Sequence, residues 1–246
     1  MATAIDLTGR VVLVTGGARG VGRGIADGFR DAGATVVICG RNDPGDGSDF
    51  VACDVREPHQ VDAMVATVVA QHGRLDVAVN NAGGSPAAEA ASASPRFSAA
   101  IVNLNLMAAL HVGQAANAVM QQQDDGGNIV NIGSVSGMRP SPGTAAYAAA
   151  KGGLIALTQT LAVEWAPKVR VNVVTGGLIA TEQSELFYGN ESKQAAIAAT
   201  VPLQRFGTPS DIANACVFLA SPLASYVSGA NLVVHGGGEP PPYLGT

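Results

Sequence analysis

Residues 11–22 read VVLVTGGARGVG, and the passage from apolar residues to glycine within this stretch decides the fold. The run VVLVT has no polar alternation, as in a strand buried on both faces. Gly16, Gly20 and Gly22 follow directly, and from Val21 an apolar helical pattern runs over 21–32. Glycine permits a tight strand-to-helix turn and a close backbone approach to an anion, while the helix N-terminus presents N–H donors. The spacing is G-x-x-x-G-x-G, so by itself the loop also reads as a plain tight turn.

Outward from this unit the same alternation recurs. Apolar strand-like runs stand at 35–39, 50–53, 75–80, 128–133, 169–174 and 231–236, and helical patterns at 58–72, 95–122, 145–166 and 209–220. Apolar strands alternating with helices predict an α/β chain with a seven-stranded parallel sheet and helices on both faces. Thr208-Pro209 is a cap and first-turn pair for the last helix. The segment RNDPGDGSDF (41–50) is too short and too rich in Gly, Pro and Asp for a helical crossover, so one helix is expected to be missing. No linker or repeat divides the chain, and residues 1–246 are read as one domain ending in an extended Pro-rich arm, GGGEPPPYLGT.

Composition narrows the partners. With 47% hydrophobic and 13% charged residues the chain is globular. A net charge of −5, with 14 basic residues scattered along the chain, offers no footprint for a nucleic-acid backbone or an anionic membrane. Apolar stretches are interrupted before the length of a membrane span, and Asp6 interrupts the N-terminus where a signal peptide is apolar, so a soluble cytoplasmic protein is expected. Cys39, Cys53 and Cys216 are widely spaced and read as buried reduced thiols. His59, His72, His111 and His235 lack ligand spacing, so no metal site is expected.

In open sheets of this kind ligands sit at the carboxyl ends of the strands, where the strand order reverses. Strand two ends in Cys39-Gly40-Arg41. A carboxylate there favours NAD by holding the ribose 2′-hydroxyl, whereas arginine accommodates a 2′-phosphate, so Arg41 and Arg19 favour NADP(H), with NAD(H) the alternative. Asp54-Val55 after strand three and Asn81-Ala82-Gly83 after strand four fit an adenosine site, although Asx and Gly are also common in turns. Ser134 lies just past strand five, Tyr147 follows 13 residues later and Lys151 four after that. In YAAAK (147–151) the phenol and the ammonium share one helix face.

The motifs TGGARGVG, CDV, NNAG, Asn105 within VNLNLMAAL, Ser134, YAAAK and GGLIAT (176–181), in this order, resemble the short-chain dehydrogenase/reductase family in its compact single-domain branch, including 3-oxoacyl-reductase-like members. The likeness spans about residues 8–238. It implies a three-layer Rossmann fold and an oxidoreductase interconverting a ketone and a secondary alcohol with NADP(H). It assigns Tyr147 as general acid/base, Ser134 as hydrogen-bond partner of the substrate oxygen, Lys151 as holder of the nicotinamide ribose, and Asn105 as support of a water-linked proton relay. Gly16, Arg19, Gly20, Val21, Gly22, Arg41, Asp54, Val55, Asn81, Ala82, Gly83, Gly177, Ile179 and Thr181 complete the implied cofactor site with Tyr147 and Lys151. Lys151 and the nicotinamide's positive charge would lower a phenol that otherwise titrates near pH ~10.

Two departures stand out: Gly176-Gly177 replaces the usual Pro-Gly, implying a looser turn, and His235 stands where the family has Asp, putting C-terminal packing in question. Residues 182–205 fall where the family carries a mobile lid, with Leu186, Phe187 and Tyr188 as candidate walls of an apolar pocket, and loops 84–94 and 138–144 as its rim. Medium-sized apolar alcohols or ketones fit this better than polyanions. Long small-residue-rich helices at 95–122 and 145–166 suit subunit packing, and the resemblance implies a homotetramer, or a dimer. A cofactor-binding regulator without turnover would share the fold, but the intact Ser134, Tyr147 and Lys151 argue against it. A hydrolase built on Ser134 lacks the G-x-S-x-G elbow.

Overall fold

The computed structural model describes residues 5–238. Residues 239–246, most of the expected Pro-rich arm, lie outside them. Seven parallel strands form one sheet in the order β3-β2-β1-β4-β5-β6-β7: β1 Val11–Thr15, β2 Thr35–Gly40, β3 Phe50–Ala52, β4 Val77–Asn80, β5 Gly127–Ser134, β6 Val169–Gly176 and β7 Asn231–Val234. The order reverses between β1 and β4, which pair in parallel through Val12, Leu13 and Val14. Their carboxyl ends therefore open the crevice in which ligands of such sheets sit.

Both faces of the sheet are buried because each central strand sends alternate side chains to two cores. Val12 and Val14 pack with Ile25, Phe29, Ile212 and Leu219 of α1 (Gly20–Asp31) and α8 (Pro209–Ala220). Val11 and Leu13 face the other way, onto Met64 and Val68 of α2 (Pro58–His72), with Val112, Ala116 and Met120. The edge strands depart from the expected full burial: β3 is half-exposed and β7 half-buried along its length. An edge has one neighbour, and no helix crosses from β2 to β3 to cover it.

That crossover, residues 41–49, is a turn-rich loop, as its composition predicts. Asp43 and Asp46 accept from the N–H groups of Gly45 and Ser48 at 2.8 and 3.0 Å. Gly45 and Gly47 take left-handed backbone angles, and Arg23 of α1 clamps the loop through Asp46.

The expected helix 95–122 divides. Pro95–Val102 (α3) and Ala108–Met120 (α4) are joined by a π-helical turn at Asn103–Met107. The span Pro95–Met120 has the length and composition of a membrane helix, with mean hydropathy 1.3 over its most apolar window, yet Ile101, Ala108, Val112, Ala116 and Met120 are buried in the protein. The long helix α5 (Ala145–Glu164) follows β5, and two short helices, α6 (Ser184–Tyr188) and α7 (Glu191–Ala198), follow β6. α8 starts with a capping box between Thr208 and Asp211, as the Thr-Pro pair predicts.

Candidate active site

The glycine loop is shaped by close approach. Gly16 and Gly20 have φ of +65° and +54°, a region side chains rarely adopt. A Cβ on Gly22 would lie 2.2 Å from the Gly16 carbonyl oxygen and 2.4 Å from Asn81 Nδ2. Thr15 fastens β1 to β4 beneath it: its hydroxyl accepts from the N–H groups of Asn81 and Ala82, both at 3.0 Å. Asn81 donates its amide to the carbonyls of Thr15 and Gly16 at 2.9 and 3.2 Å. The Asn81 side chain thus holds the loop from below, a different task from direct contact with a cofactor. Val21 borders the core. Gly20 faces Thr181 and the Glu182 carboxylate across the crevice, about 3.7 Å beyond where a Cβ would sit. A cradle in which a side chain at Gly22 would collide and one at Gly16 would be crowded, with helix N–H groups at its floor, fits a dinucleotide pyrophosphate.

Beyond the carboxyl ends of β1 and β2, Arg19 and Arg41 are exposed, and the positive charge of Arg41 acts on Asp54. Asp54 is gripped by Arg56, whose Nε and Nη2 donate to its two oxygens at 2.8 and 2.5 Å. This contact, with Arg41 behind it, holds the Asp54 carboxyl below the usual range. Arg56 carries no motif signal, and only the turn after β3 brings it onto Asp54. Val55 is buried in the core, so its backbone alone can face a ligand.

Tyr147 and Lys151 share a helix face as their spacing predicts, and Ser134 joins them as the resemblance implies. The Ser134 hydroxyl accepts from the Ser136 N–H at 3.2 Å and is hydrogen-bonded to the Tyr147 phenol. Lys151 is 4% exposed, donates Nζ to the Ile132 carbonyl at 2.7 Å, and lies 5.6 Å from the centroid of the Tyr147 ring. Burial lowers the Lys151 ammonium to about 8. The lowered phenol expected from the sequence is not found in the protein by itself: burial raises the Tyr147 pKa, the Ser134 hydrogen bond opposes it, and Tyr188 raises it further. Desolvation of the phenolate is the larger effect.

A buried amide chain fixes α5 against the sheet. Asn80 donates to Asn131 at 2.8 Å, Asn131 to Thr158 at 2.9 Å, and Thr158 to the Leu154 carbonyl at 2.8 Å. Asn105 sits in the π-helical turn, where its amide exchanges hydrogen bonds with Gly84 at 2.8 and 2.9 Å and reaches the Ile101 carbonyl at 2.9 Å. Its seat is the widened turn itself, since π-bulges displace one residue out of helical register. Gly83 lies between Asn105 and Lys151: a Cβ there would stand 2.6 Å from Asn105 Oδ1 and 3.6 Å from Lys151 Nζ.

After β6, Gly177 lies close against the end of β7. The Gly177 N–H bonds the Val234 carbonyl at 2.9 Å, and a Cβ on Gly177 would lie 2.7 Å from His235 Cβ. His235 therefore packs closely where another residue was expected. Ile179 bridges to Gly207, and Thr181 donates its N–H to the buried Ser184 hydroxyl at 2.7 Å, starting α6. Of the candidate lid walls, Leu186 is 82% exposed and turns away; the Phe187 side chain lies outside the described residues. Tyr188 stacks on Phe206 with ring centroids 5.0 Å apart.

All three cysteines are buried and free, as read from the sequence. Burial drives the Cys216 thiol far above its usual range.

A family model described as enoyl-(acyl carrier protein) reductase matches residues 16–239. The chain is 34% identical over 243 residues to a 3-oxoacyl-[acyl-carrier-protein] reductase of Vibrio cholerae, covering 95% of this chain and 98% of that one. It is 32% identical over 246 residues to the 2-dehydro-3-deoxy-D-gluconate 5-dehydrogenase of Escherichia coli, covering 96% and 97%. Among solved structures, the ligand-free aldohexose dehydrogenase of Thermoplasma acidophilum superposes with a TM-score of 0.90 at 35% identity, covering 96% of each chain.

Proposed function

Because this chain belongs to the short-chain dehydrogenase/reductase family and is an NAD(P)-dependent oxidoreductase acting on alcohols or ketones, we propose that it interconverts a ketone and a secondary alcohol with NADP(H), Tyr147 serving as general acid and base. The observation that carries this reading is the meeting of Tyr147, Ser134 and Lys151 beside the glycine cradle at the carboxyl edge of the sheet.

The bound nicotinamide supplies the hydride chemistry, and the protein supplies placement and protons. With its pKa raised by burial, Tyr147 is protonated at neutral pH, the form that gives a proton to a carbonyl oxygen. Ser134, oriented by the Ser136 N–H, offers its hydroxyl to the same oxygen. Lys151, with its Nζ anchored on Ile132, would hold the ribose hydroxyls. Asn105 keeps Gly84 and the start of the 84–94 loop in place, from which a water-linked relay through Lys151 would run. Arg19 and Arg41 are the groups for a 2′-phosphate, and Arg56 offsets the Asp54 charge that would repel one. Assembly as a homotetramer, or a dimer, is part of the reading, and a monomer by light scattering would contradict it.

Parallel fluorescence titrations with NADPH and NADH test the cofactor assignment. Tighter binding of NADPH, lost on Arg41→Ala, is expected. A preference for NADH would move Arg19 and Arg41 out of the site, and binding of neither would overturn the enzymatic reading.

A further inference from the structure

Between the 84–94 loop, α3 and the first turn of α5 lies a cavity of about 300 Å³. Its apolar lining comes from Ala88 and Ala93 of the loop, Phe97 and Val102 of α3, and Ala146 of α5. Its polar side chains are the hydroxyls of Ser85, Ser98 and Thr144, and among the described residues no charged group lines it. Hydrogen bonds hold these walls in place. Asn105 fixes the root of the loop through Gly84, and the Ala88 N–H donates to the Gly143 carbonyl at 2.8 Å, tying the loop to the start of α5. Ser94 caps α3 by accepting from the Phe97 N–H at 3.1 Å.

The cavity adjoins the Tyr147 centre on two sides. On the α5 side, Ala146 is bonded to Tyr147, and Thr144 stands at the N-cap three residues before it. From Thr144 a line of hydroxyls leads back to Ser134: Thr144 lies 2.7 Å from Ser141, Ser141 lies 3.1 Å from Ser136, and the Ser136 N–H donates to Ser134 at 3.2 Å. On the loop side, Ser85 follows Gly83 and Gly84, and a Cβ on Gly83 would stand 3.6 Å from Lys151 Nζ. No described residue of the lid, 182–205, lines this space, and Leu186 of the lid faces solvent.

We propose that this cavity, rather than the lid, receives the non-reacting arm of the substrate, and that the arm is a short, uncharged, mainly apolar chain. This rests on the ketone–alcohol reading above. The volume stands at the small end of ligand pockets. At roughly 30 Å³ for each non-hydrogen atom, the share of a water in the liquid, it holds about ten such atoms. An apolar arm gains by leaving water, whereas a carboxylate or phosphate on it would enter with no cation to meet it.

The test measures kcat/KM of the cofactor-loaded enzyme for methyl ketones of increasing length. Wild type should gain on the order of 100-fold from butan-2-one to octan-2-one, four methylenes apart. It should use 7-oxooctanoate at least tenfold less well than octan-2-one. Ser98→Leu and Ala93→Leu each put a bulky apolar group into the space from a different wall, and should cut the octanone-to-butanone ratio tenfold or more; cofactor binding by fluorescence checks that each variant is folded. A ratio moved by neither variant, or a wild type indifferent to chain length, would overturn the assignment of the cavity while leaving the oxidoreductase reading intact. Equal use of 7-oxooctanoate and octan-2-one would overturn the uncharged arm. Turnover of no ketone by the cofactor-loaded wild type would overturn both readings.

Discussion

The two ends of the parallel sheet follow opposite rules. At the amino end Asp76, 5% exposed, accepts from Arg10 at 2.8 Å, from Arg74 at 2.6 and 2.8 Å, and from the Val11 N–H at 2.9 Å. Asp125 joins both arginines. At the carboxyl end Lys151 is buried against a carbonyl oxygen, a phenol is held in a desolvated setting, and glycines stand where side chains would collide. The charges of one end are matched, whereas at the other the Lys151 ammonium is buried with a neutral carbonyl for its partner. The contrast teaches that the candidate site lies where local stability is given up, while the opposite end holds the strands in register.

The largest break in this contrast should come from Tyr147→Phe. Turnover is expected to fall on the order of 10³-fold, as for loss of a positioned acid/base, with cofactor Kd within about threefold by fluorescence, since the phenyl ring remains. Activity near wild type would sink the assignment.

Lys151→Met should abolish activity yet stabilise the fold, which separates the two rules directly. A lysine lowered from 10.5 to about 8 is penalised in its charged form, so folding releases a proton between those values and stability rises with pH across that window. The penalty, roughly 3 kcal/mol, is present in full below pH 8 and gone above 10.5. Denaturant unfolding should find the variant more stable at pH 7 by about that amount, with the gain shrinking as pH rises through the window. A destabilised variant at pH 7 would contradict the cost assigned to this burial.

Asp76→Ala tests the other end. It removes the shared partner of two arginines and an acceptor of the Val11 N–H, costing about 2 kcal/mol because Arg10 and Arg74 stay partly solvated. Urea melts should show the loss, while kcat/KM of the folded enzyme should hold within twofold. A matching loss of activity would mean that the two ends are coupled.

The smallest effect is expected from Glu182→Gln. Its carboxylate borders Gly20, where a pyrophosphate would lie, so neutralising it should tighten cofactor binding about twofold at low salt and less at high salt. Weaker binding would show instead that Glu182 supports the loop.

Much of this was legible along the chain because strand ends and glycine spacings are local. VVLVTGGARGVG specifies a strand, a turn that only glycine can make, and a helix, and the β1–α1 unit follows it closely. The absent crossover helix was readable from Gly, Pro and Asp at 41–50. Tyr147 and Lys151 share a helix face by periodicity alone. The burial of β3 and β7 was not readable, since an apolar run says nothing about whether a neighbour covers it. The π-helical turn at Asn103–Met107 leaves no apolar period of its own, so α3 and α4 read as one helix. The grip of Arg56 on Asp54 has no motif, and the stack of Tyr188 on Phe206 joins residues far apart in the chain.

Residue order alone was enough for the parallel α/β architecture, the glycine cradle and the shared helix face of Tyr147 and Lys151, because each depends on contacts within a few residues or on strand-end position, whereas Ser134 was joined to them by the resemblance. The direction of the Tyr147 pKa needed the folded chain. The spacing of YAAAK predicts an ammonium that helps a phenolate, but burial acts through every atom packed around the ring, and in the assembled protein that desolvation outweighs the hydrogen bond from Ser134.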